Sequence, residues 1–157
     1  MSNIPASGGQ GGDFAIEDLV EGQTYSFLAS ITPQEMMHFC QLSGDTNPLH
    51  MDDDFARKRG FRSRVVYGLL MGAYVSRMAG MFLPGKNCLL LGVDLKFVSP
   101  CYVGDTIEVT AVVREISMAL KAAVLKVVIT NKASGHVLAR GKVTVGFTGE
   151  PGAAAHA

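Results

Sequence analysis

Three features of the sequence predict an α+β domain in which one antiparallel β-sheet wraps around a long central helix. Residues 67–82 are apolar nearly all the way round, with Leu70, Met71, Tyr74, Val75, Met78, Ala79 and Phe82 recurring at helical spacing. A bilayer span takes about 20 apolar residues, so this shorter stretch is predicted to be buried in protein instead. The last third of the chain reads as strand after strand, at 89–98, 107–114, 124–130 and 137–147, with apolar and polar residues alternating in the second and fourth. Short connections between them call for antiparallel pairing. A single buried helix beside such a sheet gives one layer wrapped on one helix.

In chain order, residues 1–12 are rich in Ser, Gly and Gln, and are expected to form a flexible N-terminal segment. The folded domain is expected over 13–148, and 149–157 reads as a flexible Gly/Pro/Ala tail. A short strand is predicted at 23–31, carrying Tyr25, Phe27 and Leu28. Thr32-Pro33-Gln34-Glu35 then starts a helix, with Thr32 as N-cap, Pro33 as the first helical residue and Glu35 closing a capping box. Met36, Phe39 and Cys40 form its buried stripe, and Ser43-Gly44 end it. Asp52-Asp53-Asp54 ahead of Arg57-Lys58-Arg59 predicts a short helix whose acids and bases complement its dipole. The central helix follows and stops at Leu83-Pro84-Gly85.

The chain has 157 residues, 48% of them apolar and 18% charged, which suits one compact domain with a sizeable core. Fourteen acidic residues balance fourteen basic ones, so neither nucleic acid nor a membrane surface is expected as a partner. Cys40, Cys88 and Cys101 are odd in number and widely spaced in apolar contexts, as buried thiols in a reducing compartment would be. With no basic-then-apolar leader and no spanning stretch, a cytoplasmic location is expected.

The chemistry is concentrated in Ser43-Gly44-Asp45-Thr46-Asn47-Pro48-Leu49-His50. Gly44 permits a positive φ, Asp45 and Asn47 can bond their own nearby backbone, and Pro48 forces Asn47 to be extended. Such a stiff loop can aim a carboxylate and an imidazole into one pocket, where one removes a proton from water and the other steers or returns one. Two other readings of these residues stand beside it. Asp45 and Asn47 serve as turn and helix caps, with His50 an ordinary polar contact. Alternatively Asp45, Asn47, His50 and Asp52 form a mixed oxygen/nitrogen metal set, which no HxxxH or CxxC pairing supports.

Leu42-Ser43-Gly44-Asp45-x-Asn47-Pro48-Leu49-His50, followed by Phe55-Ala56, resembles the hydratase motif of the MaoC-like family, which contains the R-specific enoyl-CoA hydratases and related dehydratases. The resemblance continues through Val66-Tyr67-Gly68-Leu69-Leu70, Leu83-Pro84-Gly85, Leu95-x-Phe97-x-x-Pro100 and Val103-Gly104-Asp105, and so covers about 22–147. It implies the hot-dog fold and a homodimer or dimer of dimers joined sheet edge to sheet edge. It also implies reversible addition of water to a trans-2-enoyl thioester, with coenzyme A or an acyl carrier as part of the substrate and no metal or other cofactor.

By this resemblance Asp45 and His50 handle the water and its protons, with Asn47 supporting them. The backbone N–H of Gly68 polarises the thioester carbonyl, and Ser76 lies near the site. Tyr67, where the family commonly has His, is expected to alter the pocket. Met71 and Tyr74, with Met78 and Phe82, are candidate acyl contacts, with packing in the core as the other reading of such a Met/aromatic stripe. Arg62 and Arg64, or the 57–59 bases, are expected at the carrier phosphates. Two rival activities remain open: thioester hydrolysis, which hot-dog thioesterases perform, and non-catalytic acyl binding.

Overall fold

The computed structural model describes residues 11–148. The expected flexible ends therefore lie outside the described residues, except Gly11 and Gly12. Gly12 is held firmly, its N–H donating to the Met81 carbonyl at 2.7 Å and its own carbonyl accepting from Lys86 N at 3.0 Å.

Five strands form a single sheet: β1 (Thr24–Ser30), β2 (Cys88–Phe97), β3 (Thr106–Ser117), β4 (Ala122–Asn131) and β5 (Val137–Phe147). All pair antiparallel in the order β1-β3-β4-β5-β2, so β3–β4–β5 form a central meander and β1 and β2 the edges. In β3 the residues Ile107, Val109, Ala111 and Val113 are completely buried, and in β4 so are Leu125, Val127 and Ile129. This period-two burial gives the sheet one apolar face.

The helices are α1 (Pro33–Ser43), α2 (Pro48–Met51), α3 (Asp53–Lys58) and α4 (Gly68–Met81). Leu70, Met71, Tyr74, Val75, Met78 and Ala79 of α4 join the apolar sheet face in one core cluster. Each large aliphatic side chain buried there contributes about 1.5–3 kcal/mol. The predicted architecture is thus the observed one.

Two local expectations change. The segment after Asn47 is not loop throughout, because residues 48–51 form the single turn α2, too short for any periodicity to announce. Nor is α4 buried all round: Leu69 is 71% exposed, and Ala73, Ser76 and Gly80 lie on the same open side. One chain's sheet covers only one side of the helix. The edge strand β2 is open as well, with Leu89, Leu91, Val93 and Phe97 all exposed.

Candidate active site

The site begins with the way α1 is started and stopped. Thr32 Oγ1 accepts from Glu35 N at 3.2 Å and Glu35 Oε2 accepts from Thr32 N at 2.7 Å, the capping box read from the sequence. At the other end Gly44 has φ 72°, a left-handed value that suits glycine, and its N–H closes the helix on the Cys40 carbonyl. The chain leaves α1 turned sharply into residues 45–50.

Here the local bonding is that of caps. Asp45 Oδ1 accepts the Asn47 N–H at 3.0 Å, and Asn47 Oδ1 accepts the Leu49 N–H at 2.9 Å to cap α2. Asp52 Oδ1 likewise caps α3 through the N–H groups of Asp54 and Phe55. Among the described residues no three His, Cys, Asp or Glu side chains converge as a metal-binding group. Capping and chemistry are compatible: Asp45 uses one carboxylate oxygen for its turn, and its second has no partner among the described residues.

His50 is oriented from a distance. Its Nδ1 lies 2.7 Å from the Val65 carbonyl oxygen. A carbonyl can only accept, so Nδ1 carries the hydrogen and a neutral ring keeps its lone pair on Nε2. Val65 is in turn held by its N–H bond to the Leu49 carbonyl. That orienting acceptor is a backbone atom, which no sequence motif marks.

His50 lines a cavity of about 390 Å³ whose walls include Phe61, Gly68, Met71, Phe97 and Cys101. Gly68 opens α4, and its N–H has no acceptor among the described residues. An unpaired N–H at the positive end of a helix dipole is suited to a carbonyl oxygen that gains negative charge. A Cβ on residue 68 would come within 3.0 Å of the Phe97 ring, so glycine also keeps this wall thin. The Cys101 thiol is fully buried, and burial pushes it up to about 12, which leaves it a poor nucleophile.

The structure brings His50, Gly68 and Met71 to one cavity; Asp45 is not in its wall. Asp45 is joined to that wall through Tyr67, whose hydroxyl donates to the Asp45 carbonyl at 2.7 Å and whose ring centroid is 4.1 Å from that of His50. Tyr67 and Tyr74 are therefore not cavity-wall residues. Tyr67 is 2% exposed, and Tyr74 points towards α1, donating to Glu35 Oε1 at 2.6 Å. Met78 is likewise enclosed in the core, and Phe82 stacks on Tyr25 at 4.8 Å. Ser76 sits on the open side of α4, away from the cavity wall.

Arg57, Arg59, Arg62 and Arg64 are engaged with acids or rings. Arg57 pairs with Asp54 at 3.0 Å and Arg59 lies over the Phe55 ring. Arg64 Nε is 3.5 Å from Asp53 Oδ1, and Arg62 Nη2 is 2.9 Å from Asp105 Oδ1 while its guanidinium stacks on Tyr102. Arg62 also lines a second cavity, of about 420 Å³, whose wall shares Ser99 and Pro100 with that of the first. Phe97 and Cys101 join the cavity wall without any chemical signal in the sequence that marks them as site residues, although Phe97 lies within the Leu95-x-Phe97 motif.

A single antiparallel sheet wrapped on a helix whose N-terminus opens a cavity beside an imidazole defines a hot-dog domain. Residues 19–137 match the family described as MaoC like domain, and the chain belongs to that family. It is 33% identical over 129 residues to an (R)-specific enoyl-CoA hydratase of Rhodospirillum rubrum, a match covering 82% of this chain and 88% of that one. It is 39% identical over 95 residues to an (R)-specific enoyl-CoA hydratase of Aeromonas caviae, covering 60% of this chain and 69% of that one. The solved structure of the A. caviae (R)-hydratase involved in PHA biosynthesis superposes with a TM-score of 0.80 at 30% identity, over 84% of this chain and 99% of that one.

Proposed function

We propose that this protein is an R-specific enoyl-CoA hydratase, a hydro-lyase that adds water reversibly across the double bond of a trans-2-enoyl thioester. The observation that carries the proposal is the sharing of one cavity by His50, with Nδ1 engaged and Nε2 left for proton transfer, and Gly68, with its N–H unpaired. The names of the R. rubrum and A. caviae relatives support the same reaction. Hydration needs a base for the water at C3, an acid for C2, and a donor to the thioester oxygen as it becomes an enolate. His50 and Asp45 supply the proton transfers and Gly68 N–H the oxyanion contact, with Asn47 holding the turn between them. Met71 borders the acyl chain. The thioester carrier is coenzyme A or an acyl carrier, and no resident cofactor takes part.

The assembly we propose is a homodimer formed through β2, supported by the exposed Leu89, Leu90, Leu91 and Val93 at this sheet edge and by the open side of α4. No helix among the described residues is long and apolar enough to cross a membrane. The free thiols, two of them buried, support a cytoplasmic setting.

Loss of enoyl-thioester absorbance on mixing with crotonyl-CoA tests the reaction directly, and EDTA should leave the rate unchanged. Free thiol released without loss of the double bond would identify a thioesterase instead. Crotonyl-CoA bound but unchanged would identify a passive acyl binder.

A further inference from the structure

We propose that Tyr67 is the positioning residue of this site, a tether that holds the Asp45 turn against His50 and the opening of α4. The inference rests on the hydratase reading for its kinetics and on geometry for its substance.

Tyr67 immediately precedes Gly68, so the rigid start of α4 fixes where its backbone sits. Its ring lies between Phe39 of α1, at 4.9 Å, and His50 of α2, at 4.1 Å. Its hydroxyl extends beyond both to the Asp45 carbonyl at 2.7 Å, with Met51 Sδ 3.3 Å away. The residue is 2% exposed, although the turn it reaches is solvent-exposed.

The other hydrogen bonds of residues 44–47 run to near neighbours along the chain, from Cys40 to His50. Those bonds set the shape of the turn. They do not set its distance from the cavity. Among the described residues the Tyr67 hydroxyl makes the only hydrogen bond to this turn from a remote part of the chain. Burial pushes the phenol up to about 12, helped by Cys40 and the Asp45 charge, so the hydroxyl remains a donor throughout the working pH range.

Tyr67→Phe removes the hydroxyl and leaves the ring against His50 and Phe39. A misplacement of about 1 Å can cost up to about 10²-fold in rate, and the partial loosening expected here should lower kcat about tenfold. KM for crotonyl-CoA should stay within twofold, since the hydroxyl does not line the cavity. In an Asp45→Asn background the same substitution should lower kcat less than twofold further, because the tether acts through Asp45. Amide hydrogen exchange at residues 44–47 should speed up in Tyr67→Phe whether or not activity is measured.

A Tyr67→Phe enzyme with kcat within twofold of the parent overturns the proposal, as does a loss confined to KM. A full tenfold loss persisting in the Asp45→Asn background also overturns it, since the hydroxyl would then act elsewhere. If the parent hydrates no enoyl thioester, the functional reading falls and hydrogen exchange alone decides. Faster exchange at 44–47 supports the tether, and unchanged exchange removes it.

Discussion

Asp45 and His50 are placed by different forces. The Asp45 turn is made by its own neighbours, whereas His50 is aimed by a carbonyl 15 residues away. Asp45→Asn keeps an oxygen for the Asn47 N–H while losing charge and basicity, and His50→Asn removes the imidazole. A positioned acid or base is worth about 10²–10⁴-fold. Each substitution should therefore lower kcat at least about 10²-fold in a protein that stays folded and still binds the thioester. Retention of a third of the parent's rate by both variants, as about 10²-fold is the least a positioned base supplies, would make the pair structural.

At the scale of elements, the N-terminus of α4 and the start of α1 both invite tests. Tyr67 has ψ 129°, the extended conformation that a following proline demands, and proline is well tolerated as a first helical residue. Gly68→Pro therefore removes the proposed oxyanion donor while keeping a helix start. Gly68→Ala adds a Cβ against the same Phe97 ring but retains the N–H. The proline variant should be slower than the alanine variant by about 10²–10³-fold, the worth of one oxyanion donor. Equal rates would assign the donor elsewhere.

Glu35 links α1 to α4 through Tyr74. Burial opposes its ionisation, but bonds from Tyr74 and Thr32 and the charge of Arg77 outweigh that and hold the carboxyl below the usual range. A depressed value means stabilisation that is complete above the unfolded value, about 4.3, and lost as pH falls through the folded one. Glu35→Gln should thus lower Tm at neutral pH, and the gap to the parent should narrow in acid below about pH 4. A gap that widens in acid would contradict this sign.

For the whole molecule the open surfaces are continuous in kind: an apolar edge strand and the bare side of the central helix. Exposed apolar edges invite pairing with another chain. Light scattering at micromolar concentration should give a dimer or a multiple of dimers. A monomer would leave these surfaces unexplained and overturn the proposed assembly.

The sequence by itself determined what short-range rules govern. Thr32, Pro33 and Glu35 start α1, Ser43-Gly44 end it, and alternation at Ile107, Val109, Ala111 and Val113 sets the buried face of β3. Each of these depends on residues a few positions apart, so each is written locally. The tertiary structure decided the rest. It chose which side of α4 is covered, turned Tyr74 towards Glu35, and hid Tyr67 beneath the Asp45 turn. It also closed the 15-residue span that sets the Val65 carbonyl on His50 and the 22-residue span that sets Tyr67 on Asp45. Those contacts exist only because α4 packs on the sheet and draws the segment before it over α2. No local pattern encodes them, because the partners meet through the shared core rather than along the chain.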